Sequence, residues 1–217
     1  SRISPEAPVQ VVNIKKESTL LGGAGNVISN LKKFGAKVDI LSVIGNCEVA
    51  VELNHLLKNI DINTKYLVLQ EGRITSKKSR IISSQQQVIR FDRESIEEIN
   101  SDTEKKMITI FKKIVKSYEI ILVSDYGKGV LTAELTQSLI SIANINNKKV
   151  LIDPKGKNYL KYKDAFLLTP NKKEASEATN IDIQDDNSLI KAIVQLKKQC
   201  NLKVSLIFLE KIIYKKI

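Results

Sequence analysis

From residue 101 onward the chain alternates short apolar runs with helical patterns. This alternation restricts its fold more than any other feature. The runs are "EIILVSD", "KKVLIDP", "DAFLLTPN" and "KVSLIFL". Between them lie helical patterns. One opens at Ser101, with Glu104 as its capping-box partner, and runs to Tyr118. Another opens at Thr132 and runs to about Asn146. A third starts at Lys172, and a fourth is "NSLIKAIVQLKKQC". Strands that are apolar on both faces and separated by helices predict an α/β fold, a mostly parallel sheet with helices on both faces. Apolar residues make up 42% of the 217, enough for a sizeable core.

Parallel sheets bind ligands beyond the carboxyl ends of their strands. Three successive runs end in polar or turn-forming residues: Asp125-Tyr126-Gly127-Lys128-Gly129, Asp153-Pro154-Lys155-Gly156, and Pro170-Asn171-Lys172-Lys173-Glu174. In a parallel sheet all three lie on one rim, where carboxylates, lysines and a helix N-terminus suit phosphate and a hard cation. Each cluster alone also has a plainer reading. Asn171 and Glu174 fit a helix cap with its N3 acid. The other two fit loops.

The first half is less regular. "TLLGGAGNVISNLKKFG" carries glycines at 22, 23 and 25 ahead of a helix whose Val27, Leu31 and Phe34 share one face. Neither the P-loop spacing nor the complete G-x-G-x-x-G fingerprint is present, since Ile28 stands where the third glycine belongs. A glycine loop followed by Asn26 suits hydroxyl groups, as in a sugar, or is only a turn. "AKVDILSVIG" predicts a buried strand and "EVAVELNHLLKNI" an amphipathic helix. From Thr64 to Asp92, "KYLVLQ", "RITSKKSRIIS" and "QQVIRFD" read as strands of a small antiparallel flap. Residues 3–14 read as another extended segment.

No apolar run approaches the ~20 residues of a membrane span, and the start carries no apolar signal core. Cys47 and Cys200 are far apart with no CxxC, which argues against a disulfide scaffold or a zinc site and fits a reducing cytoplasm. His55 reads as an ordinary helix residue. The net charge is +11, but the lysines alternate with acids along helices and there is no Trp to stack on bases. A solvated lysine surface explains the charge without nucleic acid as partner.

Gly22-Gly23-Ala24-Gly25-Asn26, Gly35 and Gly45, with "DYGKG", "DPKG" and "TPNKKE", resemble the ribokinase-like (PfkB) carbohydrate kinases over almost the whole chain. The opening "SRISPEAPVQVV" and "SSQQQVIRFD" resemble the branch of that family acting on D-glycero-β-D-manno-heptose 7-phosphate in lipopolysaccharide core synthesis. The resemblance implies a cytoplasmic enzyme that phosphorylates the sugar's anomeric hydroxyl with ATP and Mg²⁺. It places Gly22, Gly23, Asn26, Asp125 and Lys128 at the sugar. Lys78, Arg80 or Arg90 falls at the sugar's phosphate. Asn171, Lys172, Lys173, Glu174 and Lys155 fall at ATP, with Glu174 also holding Mg²⁺ through water. It makes residues 3–14 and 64–92 a lid that also forms a homodimer, and implies no nucleic acid or membrane partner. Another sugar kinase of the family, or a non-catalytic sugar-phosphate binder, stands as the alternative. The family's G-A-G-D element, with its catalytic Asp, has no counterpart here. No catalytic residue is therefore assigned. The domain is expected to be truncated at both ends, to lack an adenylyltransferase half, to have no useful kinase activity alone, and to end in an atypical "LIFLEKIIYKKI".

Overall fold

The computed structural model describes residues 2–3, 10–11, 13–83 and 86–208. Its centre is a four-stranded sheet of β7 (Ile120–Ser124), β8 (Lys149–Asp153), β9 (Leu167–Leu168) and β10 (Val204–Ser205), in the order β10-β9-β8-β7. Every neighbouring pair is parallel, with Ser124 opposite Asp153 and Ile152 opposite Leu168. The carboxyl ends of the strands therefore share one rim, as the alternation predicts. Val123, Val150, Ile152 and Leu168 are buried in this sheet, in one cluster with Met107 and Phe111 of α3 (Ser101–Ile114), Leu139 of α4 (Ala133–Ile145) and Leu196 of α6 (Asp186–Gln199).

The helices start where short polar residues can satisfy free amides. Thr132 caps α4, accepting from the Leu135 amide. Asn171 caps α5 (Lys172–Thr179), and its capping box with Glu174 is complete. At α3 the cap falls one residue earlier than expected: Asn100, not Ser101, accepts from the Thr103 amide. Glu104 is buried and instead accepts from the Thr132 hydroxyl at 3.1 Å, tying α3 to the start of α4.

Two expectations in the first half need correction. The exposed side of α1 (Ala24–Lys33) includes Phe34 just beyond its end, which is 88% exposed. The buried side is centred on Gly25 and Ile28, and Ile28 packs with Leu57 and Ile62. Leu57 lies on α2 (Glu48–Lys58). The flap is also narrower than residues 64–92. β4 (Leu67–Leu69) pairs in parallel with β3 (Ser42–Ile44), and α2 lies between them in sequence, so β3-α2-β4 is a crossover unit of the α/β body. Val68 is buried in the main core, which commits this strand to the body. The antiparallel flap is β5 (Lys77–Ser83) with β6 (Gln86–Arg93).

β1 (Arg2–Ile3) pairs antiparallel with β2 (Gln10–Val11). The rest of the expected strand between residues 4 and 12, the 84–85 tip of the hairpin, and the tail from residue 209 lie outside the described residues. Among the described residues no helix is long and apolar enough to cross a membrane.

Candidate functional site

The glycine loop packs against the rim. Gly23 is the N-cap of α1, and no side chain caps that helix. The first turn is closed by the backbone, with the Gly25 amide on Gly22 O and the Asn26 amide on Gly23 O, both at 3.0 Å. These two amides are thus used inward and are not free for a ligand. The exposed Asn26 side chain and the open surface at Gly22 remain, where an added Cβ would meet nothing within 4 Å. A Cβ on Gly23 would lie 3.5 Å from the Tyr126 ring. The loop and the end of β7 are therefore neighbours, joining two clusters that the sequence analysis treats separately.

Asp125 differs from its expected role. Its residue is 5% exposed. Oδ1 accepts from the Gly127 amide at 2.7 Å. Oδ2 accepts from Lys161 Nζ at 2.6 Å and from the Tyr162 hydroxyl at 2.7 Å. Tyr162 in turn accepts from the Lys155 amide at 3.0 Å. Asp125 thus anchors its own loop and the 153–156 loop from below and turns no free oxygen to a sugar. Burial pushes the Tyr162 hydroxyl well above its ordinary value, so it stays a donor. Sequence reasoning misses Lys161 and Tyr162. The one local signal is the Tyr159/Tyr162 spacing on a 3₁₀ turn, where the two rings meet edge-on.

Lys155 and Glu174 come together, with Nζ 2.8 Å from Oε1. Glu174 Oε2 accepts from the Asn171 amide at 3.1 Å, and Asn171 Oδ1 from the Glu174 amide at 2.9 Å. Asn171 and Glu174 are thus a helix cap first. Lys172 and Lys173 are exposed on the first turn of the same helix, Lys173 at 3.9 Å from Glu177. Asp153 ends β8 beside them. The residue is exposed overall, yet partial desolvation of its carboxyl, then the negative charges of Glu174 and Asp125, raise it above the ordinary value against the pull of Lys155. Among the described residues no group of three His, Cys, Asp or Glu could ligate a metal directly.

The hairpin leans toward this rim through charge. Lys78 Nζ lies 2.9 Å from Asp92 and 3.0 Å from Glu94, and Glu94 also pairs with Lys128 of the rim loop. Arg90 donates through Nε and Nη2 to Asp92. Arg80 stands directly across from Arg90 in the register, and is exposed. The Asp92 carboxylate offsets the Arg90 charge, so Arg80 carries the charge on this face that has no carboxylate partner among the described residues. Of the three candidate phosphate cations, Lys78 and Arg90 already have carboxylate partners.

The family model for pfkB family carbohydrate kinases matches residues 2–208. The chain is 62% identical to the bifunctional protein HldE of Aliarcobacter butzleri over 208 residues, covering 96% of this chain and 44% of that protein. It is 54% identical to HldE of Sulfurimonas denitrificans with the same coverage. The chain thus spans less than half the length of these curated relatives. Among solved structures, phosphofructokinase-2 from Escherichia coli in complex with fructose-6-phosphate aligns at a TM-score of 0.67 and 21% identity, over 87% of this chain and 62% of that one. Arabidopsis thaliana ribokinase complexed with ribose and ATP aligns at 0.69 and 15% identity, over 92% and 64%. At such identities these structures speak to the fold, which is ribokinase-like.

Proposed function

The chain belongs to the pfkB family of carbohydrate kinases. From that premise we propose that it forms the sugar-phosphate site and part of the ATP site of a kinase for D-glycero-β-D-manno-heptose 7-phosphate. The whole protein would transfer the γ-phosphoryl group of ATP to the anomeric hydroxyl. The observation that carries this reading is the seating of the Gly22–Asn26 loop against Tyr126, in the rim loop whose Lys128 pairs with Glu94 at the end of the hairpin that carries Arg80. A hydroxyl-binding loop and an exposed guanidinium at Arg80 together suit a sugar that already carries a phosphate. The heptose is favoured over other sugars by the likeness to the HldE proteins.

In this reading Asn26 and the glycine loop hold the sugar hydroxyls, and Arg80 binds the existing phosphate. Lys155, Lys172 and Lys173 face the phosphates of ATP. Transfer of a phosphoryl group depends mainly on positioning and charge neutralisation, and these residues supply both. Mg²⁺, when bound, would neutralise charge on the nucleotide. Both oxygens of Glu174 are already engaged, so Glu174 fits such an ion through water and not as a direct ligand. Asp125 serves by anchoring, as described above. The apolar side of the hairpin, where Ile89 and Phe91 are about half exposed, suits pairing with a second copy of the chain. Sedimentation tests that pairing, and a purely monomeric sample removes it. An ATP-dependent enzyme of sugar-phosphate metabolism is proposed to act in the cytoplasm.

Calorimetric titration of the chain with the heptose 7-phosphate tests the central reading. The unphosphorylated heptose and fructose 6-phosphate serve as controls. Saturable binding that prefers the heptose 7-phosphate and is weakened by Arg80→Ala is expected. Equal affinity for fructose 6-phosphate, or no binding by a folded sample, would reject the heptose assignment.

A further inference from the structure

Arg73 lies between β4 and β5, at the root of the hairpin, and is 7% exposed. Its guanidinium donates to two backbone carbonyls, Glu97 O at 3.0 Å through Nη1 and Lys128 O at 2.5 Å through Nη2. Burial lowers its pKa from the usual guanidinium value, with only the more distant charge of Glu97 opposing. A buried charge satisfied by carbonyls alone is costly and asks for a reason. The surroundings are built tightly around it. A Cβ on Gly45 would stand 1.7 Å from Arg73 O, and one on Gly129 would stand 1.9 Å from Glu97 O. Thr75 accepts from the Gly45 amide at 2.9 Å, and Gly129 O accepts from the Ile99 amide at 2.9 Å.

We propose that Arg73 is a positioning residue: by gripping the Lys128 carbonyl from the hairpin root, it aims the Lys128 ammonium at the hairpin face of the sugar-phosphate site. The Glu97 carbonyl lies on the segment that leaves β6, so the same guanidinium fixes both the hairpin's exit and the rim loop. Hairpin and rim loop then keep one relative orientation, and the Lys128 side chain meets Glu94 at the hairpin's base. A carboxamide also carries two N–H donors, but both sit on one nitrogen at the end of a shorter, uncharged side chain. The guanidinium reaches the two carbonyls from separate nitrogens, Nη1 and Nη2, held in one rigid plane, a spacing that a single ammonium nitrogen does not reproduce. The inference rests on the reading of Lys128 as a residue of the sugar-phosphate site.

The test is a double-mutant cycle of Arg73→Gln and Lys128→Ala, read as affinity for the heptose 7-phosphate, together with amide hydrogen exchange without ligand. Arg73→Gln is expected to weaken binding roughly tenfold in the parent chain, the size of a lost charge-assisted hydrogen bond. It is expected to weaken binding much less once Lys128 is already Ala, and Arg73→Lys should recover only part of the loss. Equal losses in both backgrounds would overturn the proposal. Exchange gives an arm that does not depend on the ligand. Arg73→Gln should speed exchange at Ile99 and through 127–130 while α6 and β8 keep their protection. Uniform acceleration, or none, would also overturn it. Failure of the parent chain to bind the sugar, with the local exchange effect present, would instead reject the functional reading of Lys128.

Discussion

Gly23 lies beneath the ring of Tyr126, so close that a Cβ on the glycine would stand 3.5 Å from Cε2 and Cζ. That separation is an ordinary contact and leaves room for a methyl group. The backbone does not: φ is +53° and ψ −130°, a region that costs a side chain about 1–3 kcal/mol. Gly23→Ala is expected to lower stability by about that amount and to shift the loop off Tyr126. Tyr126→Ala, at a residue 45% exposed, should change stability little but weaken sugar-phosphate binding. Urea denaturation and titration separate the two effects. An unchanged midpoint for Gly23→Ala would contradict the strain.

The Asp125–Lys161 pair sits deep, with side chains 3% and 15% exposed. Asp125→Asn keeps the shape and strands the ammonium. Breaking a buried pair from one side costs about 3–5 kcal/mol. Replacing both partners with apolar residues, Asp125→Leu with Lys161→Met, is expected to recover part of that loss. Chemical denaturation measures each, and a loss under about 1 kcal/mol for Asp125→Asn would show that the pair is effectively solvated.

Asp153 predicts a pH dependence. Although the residue is exposed overall, its carboxyl is raised above 3.8 by partial desolvation and by Glu174 and Asp125, which makes the expected effect small. The folded state therefore holds the proton more tightly than the unfolded one. Stability falls as pH rises from 3.8 through the raised folded value, and the cost is constant above it. Asp153→Asn carries no such cost. It is expected to melt higher than the parent chain at pH 7, with the difference shrinking toward zero by about pH 3. A difference independent of pH would mean the charge is not responsible.

The two cysteines should react differently. Burial pushes the Cys200 thiol up to about 11, and its sulfur donates to Tyr159 O. Cys47 is only partly buried. Burial raises its pKa, but the Thr75 hydroxyl and the amides of Thr75, Ala50 and Val49 outweigh that and leave it below 9.0. A thiolate-selective reagent at pH 8 is expected to label Cys47 in the folded chain and Cys200 only after unfolding. Thr75→Val should slow Cys47. Mass spectrometry of the labelled chain reads both, and early labelling at Cys200 would contradict its burial.

The features legible in the sequence are those set by near neighbours along the chain. Thr132 caps α4, and Asn171 and Glu174 close their box, because partners three residues apart meet in any helix that starts there. The strand runs place Asp125, Asp153 and Asn171 beyond three carboxyl ends because parallel pairing puts those ends on one side. What those side chains then do was decided elsewhere in the fold.

Asp125 reads in sequence as a ligand at a strand end, yet it meets Lys161 and Tyr162, 36 and 37 residues away. Arg73 carries no motif at all and grips a carbonyl 55 residues on. "KYLVLQ" has the composition of a flap strand, and its parallel pairing with β3 together with the burial of Val68 in the main core assigns it to the body. Alternation and caps by themselves determined an α/β chain with a polar rim, and the family followed from the likeness of its glycine, DYGKG, DPKG and TPNKKE motifs. Which charges stay open to a ligand, and which are used to hold the loops, was decided by tertiary packing. Local propensity acts over a few residues, whereas desolvating a charge depends on whatever the rest of the chain brings beside it.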